Sequence, residues 1–325
     1  MKLVQPISAF GRSDVSLVGG KAASLGELVH AGFSVPTGVV VLSSAYRQFL
    51  QKAHLDTRVT EAIVSDDRYT EDNEQDRPYN VEEILSSTEM PPPIEGEIRN
   101  IFSQYGLSSD DLLAVRSSAT VEDAKNHSWA GLFSTHLNVR ATQVPEKVKS
   151  CWISLFHRRA LYYARINGIS ISDISVAVII QKMVQPEKAG TVFSADPTAI
   201  SQQQVAIEAS PGLGDTLVSG SITPDLYIVE KASGSILRRS LSGNRYGAPL
   251  HHKFSDRPMQ LAASRAEAIP RNVPVTPVLN NSEIALLFKA VIEIENIFGF
   301  PCDVEWAISR GVLNILQCRP LTAIR

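Results

Sequence analysis

The stretch Val176-Ala177-Val178-Ile179-Ile180-Gln181-Lys182-Met183 opens on five apolar residues in a row, too short for a helix and of strand length. Such a run suits a strand buried on both faces, which requires a sheet covered on each side by other layers. Strand-like runs at residues 112–117 before it, and 189–195, 205–209 and 226–230 after it, supply a sheet. Two final strands at 303–308 and 312–317, joined at Ser309-Arg310-Gly311, read as a hairpin. Helical periodicity covers residues 20–31, ending at Gly32, and a helix runs to Leu50 from a Ser43 or Ser44 cap. It returns at 151–167, an amphipathic helix, and at 282–298 with Ser282 as N-cap. Residues 65–93 and 240–281, polar and proline-bearing, read as loop-rich surface excursions. The expected class is mixed α/β (α+β).

The bulk properties narrow the function. In 325 residues, 44% are hydrophobic and 20% charged, ample apolar material for a globular core and a length suited to about two domains. A net charge of −3 gives no basic excess, so no nucleic-acid partner is expected. Cys151, Cys302 and Cys318 show neither zinc spacing nor a disulfide framework and read as reduced thiols. Residues 1–10 lack the apolar core of a signal peptide, and no run approaches the roughly 20 apolar residues of a membrane span. A cytoplasmic location without membrane contact is expected.

Several segments combine residues suited to phosphate chemistry. Gly19-Gly20-Lys21 opens a helix whose N-terminus favours anions, and glycines allow close backbone approach, although no Walker A pattern is present. A glycine turn with a solvated lysine fits the same residues. Arg116, leaving a buried strand among Ser117, Ser118 and Thr120, suits a phosphate chain or equally an ion pair with Glu122 or Asp123. Around Gly131, the small residues of Ser128–Thr135 suit a flap over phosphates, whereas Trp129, Leu132 and Phe133 read better as core. Gln181, Lys182, Met183 and Val184 can offer an adenine hinge or simply end a core strand. On the final hairpin, Glu305 and Gln317 can share one face with Arg319, two residues further on. A carboxylate and an amide oxygen suit Mg²⁺, which takes its remaining ligands from phosphates and water. Taken singly, each of these three also fits the polar face of a hairpin. The seven histidines show no ligand spacing; His251-His252 reads as a loop pair, and His127 and His136 as structural.

Eight segments occur in the order of one family: GGKAASLGEL, GFSVPTGVVV, AVRSSATVED, SWAGLFSTHLNV, QKMVQPEKAGTVFSADP, IEASPGLGDTLVSGSITPDLYIV, GFPCDVEWAI and LQCRPLT. The chain resembles, over nearly its whole length, the N-terminal nucleotide-binding domain of phosphoenolpyruvate synthases, pyruvate phosphate dikinases and rifampicin phosphotransferases. The synthase and rifampicin branches look closer. The resemblance implies an ATP-grasp fold with ATP between two lobes, residues 1–184 and residues 185–325, the second carrying the metal-binding hairpin. It implies that Lys21 and Arg116 hold phosphates, that Gly131 and Thr135 belong to the flap, and that Gln181, Lys182, Met183 and Val184 line the adenine site. Glu305 and Gln317 match the family's magnesium positions and Arg319 its phosphate-contacting arginine; Lys21, Arg116 and Arg319 would be catalytic. The implied cofactors are ATP and Mg²⁺. The family splits ATP to AMP and passes the β-phosphate first to a histidine on a swivelling domain.

The departures bear on the acceptor. The synthase flap is often Gln-Gln after its glycine, where this chain has Leu132-Phe133, and Pro211 replaces a common aromatic. The Ser-His-Ala phosphohistidine motif and the pyruvate- or antibiotic-binding domain are not found in the 325 residues. Three readings are open. One is a phosphotransferase with paired acceptors that phosphorylates a histidine on a separate partner protein. A second is a stand-alone ATP-grasp kinase or ligase acting on a small-molecule acceptor, with the apolar flap admitting a hydrophobic one. The third is a non-catalytic nucleotide-binding regulator, which would not need the full set of charged residues.

Overall fold

The central strand β5 (Val176–Lys182) is buried at every position but its last, and it is covered on both faces as its composition demands. The computed structural model describes residues 2–55, 81–121, 129, 131–197, 202–212, 223–242 and 276–321. Strand β5 lies in a five-stranded sheet of order β1-β2-β5-β3-β4, with β1 Val4–Pro6, β2 Gly38–Val41, β3 Leu113–Ala119 and β4 Thr135–Val139. A second, six-stranded sheet runs β11-β10-β6-β7-β8-β9. Its strands are β6 Lys188–Phe193, β7 Gln204–Pro211, β8 Asp225–Glu230, β9 Ile236–Ser240, β10 Cys302–Ser309 and β11 Val312–Pro320. Every pairing in both sheets is antiparallel. The mixed α/β class expected from the sequence is the observed one.

Each sheet has its own core. One face of the first sheet presents Val39, Val41, Val178 and Ile180 to Phe49 of α2 (Ser43–Lys52), Leu85 of α3 (Val81–Ser87) and Ile98 of α4 (Pro92–Gln104). Trp152 of α5 (Val144–Ile153) and Leu161 of α6 (Arg158–Ile166) complete that layer. The opposite face, Val40, Ala177 and Ile179, packs under Val18, Ala22 and Leu25 of α1 (Val15–His30). In the second sheet, Val192, Ile207, Val304 and Trp306 pack under Leu287, Val291 and Ile294 of α7 (Asn281–Phe298). The other face of that sheet carries Thr191, Glu208, Asp303 and Glu305 among apolar Phe193, Ala206 and Ile228.

Helix α1 joins the two cores. Its Leu28, with Phe33 and Val35 just beyond, packs into the core of the second sheet, and Ile315 N donates to Ser34 O at 2.8 Å. Arg12 adds a second tie: its guanidinium donates to Ile297 O at 3.1 Å and lies 5.2 Å and 5.9 Å from the ring centroids of Phe298 and Phe300. Cations are favoured both at a helix C-terminus and over aromatic faces.

Local expectations are corrected in four places. Ser43 is not a cap: Leu42 holds the N-cap position, and Ser43 Oγ instead donates to Ser16 O at 3.0 Å. Asn280, not Ser282, caps α7, in a reciprocal capping box with Glu283. The amphipathic segment 151–167 is two helices, because His157 takes an extended conformation (φ −62°, ψ 140°) after a 3₁₀ turn. Within the excursion expected at 65–93, residues 81–87 form α3, with Val81 and Leu85 buried, and Pro92 opens α4, where proline is accommodated in the first turn. Residues 65–80 of that excursion, His127, His251-His252 and most of segment 240–281 lie outside the described residues.

Candidate functional site

The polar face of the second sheet is built by its register. Glu208 on β7 pairs with Thr191 on β6, Thr191 with Glu305 on β10, and Glu305 with Gln317 on β11, so four neighbouring strands place one row of side chains. Asp303 and Arg319 pair with each other one step further along the hairpin. Arg310 (φ 52°) and Gly311 (φ 74°) turn this hairpin through two consecutive left-handed residues, which sets the register. Glu305, Gln317 and Arg319 therefore share one face, as period-two geometry predicts.

Arg116 reaches this row from the other sheet. One terminal nitrogen donates to Glu305 Oε2 at 3.1 Å and to Gln317 Oε1 at 2.5 Å; the other donates to Leu316 O at 2.8 Å. The ion pair expected with Glu122 or Asp123 cannot be compared, since both lie outside the described residues. Thr135 is the register partner of Arg116 on β4 and is exposed beside it. Gly131 is exposed at φ 73°, in a turn closed by Leu132 N donating to Trp129 O at 3.1 Å. Leu132 and Phe133 pack against the core of the first sheet, and Phe133 stacks on the fully buried Trp129 at 5.4 Å between centroids.

Lys21 enters from the start of α1. The chain is kinked at Gly19 (φ 73°, ψ 169°), so the regular helix begins at Gly20, and Lys21 is 91% buried, with a relative exposure of 9%. Its Nζ donates to Ser117 O at 3.3 Å, and Ala22 N donates to Ser118 Oγ at 3.1 Å. Gly19 serves a different purpose from close approach to a ligand. A Cβ there would lie 2.0 Å from Ser118 O, so the glycine lets α1 sit on β3.

Gln181 lies on the same face of the first sheet as Arg116, since it pairs with Ala114 while Arg116 pairs with Ile179. The two pairs are one two-residue step apart, about 7 Å along the strands. The Gln181 side chain donates to Pro36 O at 3.0 Å. Lys182 N donates to Thr37 O at 2.8 Å and Met183 N to Leu112 O at 2.9 Å. Both amides are thus used in closing the first sheet. The Lys182 ammonium pairs with Asp111 at 2.8 Å and holds that carboxyl below its ordinary value. Val184 directly follows this segment.

Two acidic residues of the site were not singled out from the sequence. Asp303 Oδ2 accepts from Arg319 Nε at 2.8 Å and from a terminal nitrogen at 2.7 Å. Burial pushes the Asp303 carboxyl up, with Arg319 opposing and Glu305 adding to the rise. Among the described residues its Oδ1 is buried without a hydrogen-bond partner. Glu208 is likewise pushed up, first by burial and then by Asp303. Both were signalled by period two: Asp303 stands two residues before Glu305, and Glu208 interrupts an otherwise apolar strand. Among the described residues, no group of three or more His, Cys, Asp or Glu is disposed to hold a metal ion, and no helix is long and apolar enough to cross a membrane. Glu305 and Gln317 nevertheless fit a cation, because their side-chain oxygens already converge on one, the Arg116 guanidinium.

Comparison with known proteins adds an independent line. The family described as pyruvate phosphate dikinase, AMP/ATP-binding domain, matches residues 15–325. A probable phosphoenolpyruvate synthase from Methanothermobacter thermautotrophicus is 35% identical over 99% of this chain and 47% of its own length. One from Archaeoglobus fulgidus is 37% identical over 97% of this chain and 41% of its own length. The prodigiosin synthesizing transferase PigC of Serratia marcescens is 34% identical, over 94% and 31% respectively. The chain thus spans less than half the length of these curated relatives. A D-alanine–D-alanine ligase from Helicobacter pylori aligns over 71% of this chain and 48% of its own, with 9% identity and a TM-score of 0.30, too distant to bear on the fold.

Proposed function

Because the chain belongs to the pyruvate phosphate dikinase AMP/ATP-binding domain family, we propose that it binds ATP between its two sheets in the ATP-grasp manner and serves as a phosphotransferase module. The observation that carries this reading is the meeting of Arg116 from the first sheet with Glu305 and Gln317 from the second. Cationic and oxygen-donor groups from both halves of the molecule converge on one place, beside Thr135 and near the start of α1.

In this reading the adenine lies by Gln181, Lys182, Met183 and Val184, where side chains and carbonyls recognise it because the Lys182 and Met183 amides are taken. The phosphates run toward Arg116, Lys21 and Arg319, under the turn at Gly131 and beside Thr135. Lys21 contributes a point charge at a helix N-terminus, and Arg116 and Arg319 contribute forked donors. Asp303 fixes the direction of the Arg319 fork through its paired contacts. Magnesium bound by Glu305 and Gln317 would neutralise phosphate charge and fix the geometry of the chain. In-line phosphoryl transfer asks little of a protein beyond such positioning and neutralisation. We place the acceptor histidine on a separate domain or partner protein, with AMP as the nucleotide product, in keeping with a phosphoenolpyruvate synthase-like reaction of the paired-acceptor type. A small-molecule acceptor for an apolar flap receives no support from Leu132 and Phe133, whose apolar character is accounted for by packing on Trp129 and the core.

Calorimetric titration of ATP with Mg²⁺ tests the reading. The wild-type chain should bind ATP in a magnesium-dependent way, and Glu305→Ala should lose that dependence and the turnover that follows from it, while still melting cooperatively. Undetectable ATP binding by the folded wild type, or unchanged magnesium dependence in Glu305→Ala, contradicts it.

A further inference from the structure

We propose that Arg116 competes with a divalent cation for Glu305 and Gln317: its guanidinium takes the position between their oxygens that the cation would occupy, so that the metal enters with a phosphate chain and not ahead of it. The inference rests on the reading of Glu305 and Gln317 as metal-binding oxygens and adds an order of binding to it. A single terminal nitrogen of Arg116 is within hydrogen-bonding distance of both Glu305 Oε2 and Gln317 Oε1. A magnesium ion would need to lie about 2.1 Å from each of those oxygens, in the space that this nitrogen and its hydrogens fill. Steric exclusion and like charge act in the same direction.

For a metal to enter, the Arg116 guanidinium has to leave this position. It must be drawn away by a better acceptor. Its contacts make that feasible. Among the described residues the side chain is held through its two terminal nitrogens, by Glu305, Gln317 and Leu316 O, and Nε is buried with no partner. A buried donor without an acceptor is costly. A polyphosphate chain offers oxygens in the paired arrangement that a guanidinium binds best, and so can satisfy all three nitrogens at once. When Arg116 turns to the phosphates, the Glu305 and Gln317 oxygens are released together. The same contact ties the two sheets, since Arg116 stands on β3 and its acceptors on β10 and β11.

Manganese titration followed by electron paramagnetic resonance of the free ion tests this, with Mn²⁺ alone as the probe and no nucleotide present. Arg116→Met should bind Mn²⁺ about tenfold more tightly than the wild type, the change expected when a charged hydrogen-bonded competitor is removed. The gain should vanish in the Arg116→Met, Glu305→Gln double variant. If Arg116→Met does not melt cooperatively, Arg116→Gln, which keeps a polar head without the charge, reads the same change. Equal Mn²⁺ affinity in the wild type and the folded variant overturns the proposal. Repeating the titration with ATP separates the two ideas. Loss of Mn²⁺·ATP binding in Glu305→Gln with no gain in Arg116→Met removes only the order of binding, whereas indifference to Glu305→Gln removes the metal assignment as well.

Discussion

Glu208 shows how burial and charge set the balance at single residues. It stands on β7 in the row that leads to Glu305, and both its burial and the neighbouring Asp303 raise its carboxyl pKa. A carboxyl raised on folding stabilises the fold below its unfolded pKa, about 4.3 for glutamate, and that contribution is lost as pH rises through the folded value. Glu208→Gln does not titrate. Its melting temperature should match the wild type near pH 4 and exceed it increasingly toward neutrality. A wild type that becomes the more stable protein as pH rises would contradict the account. Glu208 and Asp303 were within reach of period-two reading, but a lone acidic residue on a strand carries no partner in the sequence. Glu208 and Asp303 stand far apart in the chain, and only the strand order brings them together. Arg116 is the same case: the sequence offered Glu122 and Asp123 nearby, and the fold supplied Glu305, 189 residues distant.

At the scale of elements, the joint between α1 and β3 positions two of the candidate phosphate ligands. Gly19 adopts a conformation open to glycine alone, with Ser118 O in the place of a side chain, and this sets Lys21 over Ser117. Gly19→Ala should therefore cost at least about 2 kcal/mol of stability and weaken ATP binding, as read by urea unfolding and calorimetry. A variant as stable as the wild type with unchanged ATP affinity would show that the joint is not needed. Strands β5 to β8 and the final hairpin were legible because their signals are local, an unbroken apolar run, alternation, and a turn with glycine, whereas the mostly exposed β9 was not read. The break at His157 was not. Residues 151–167 keep helical periodicity across it, and the two helices turn there to follow the core around Trp152 and Leu161. The α7 cap was misplaced by two residues because Asn280, Asn281 and Ser282 are all good caps, and the reciprocal bond with Glu283, itself held by Lys188 at 2.6 Å, decides among them.

For the molecule as a whole, two sheets with separate cores are joined by α1, Arg12 and Arg116, and the candidate site lies where the last of these crosses from one sheet to the other. The chain spans 31–47% of the lengths of three relatives it resembles, so the acceptor of the phosphoryl group is the open term in the proposed reaction. Phosphorus-31 NMR of the purified chain with ATP and Mg²⁺, alone and with an added histidine-bearing domain of the family, tests that claim most directly. The account predicts AMP and a phosphorylated histidine only when the domain is present. Unchanged ATP in both samples, or the same products with and without the domain, would contradict it.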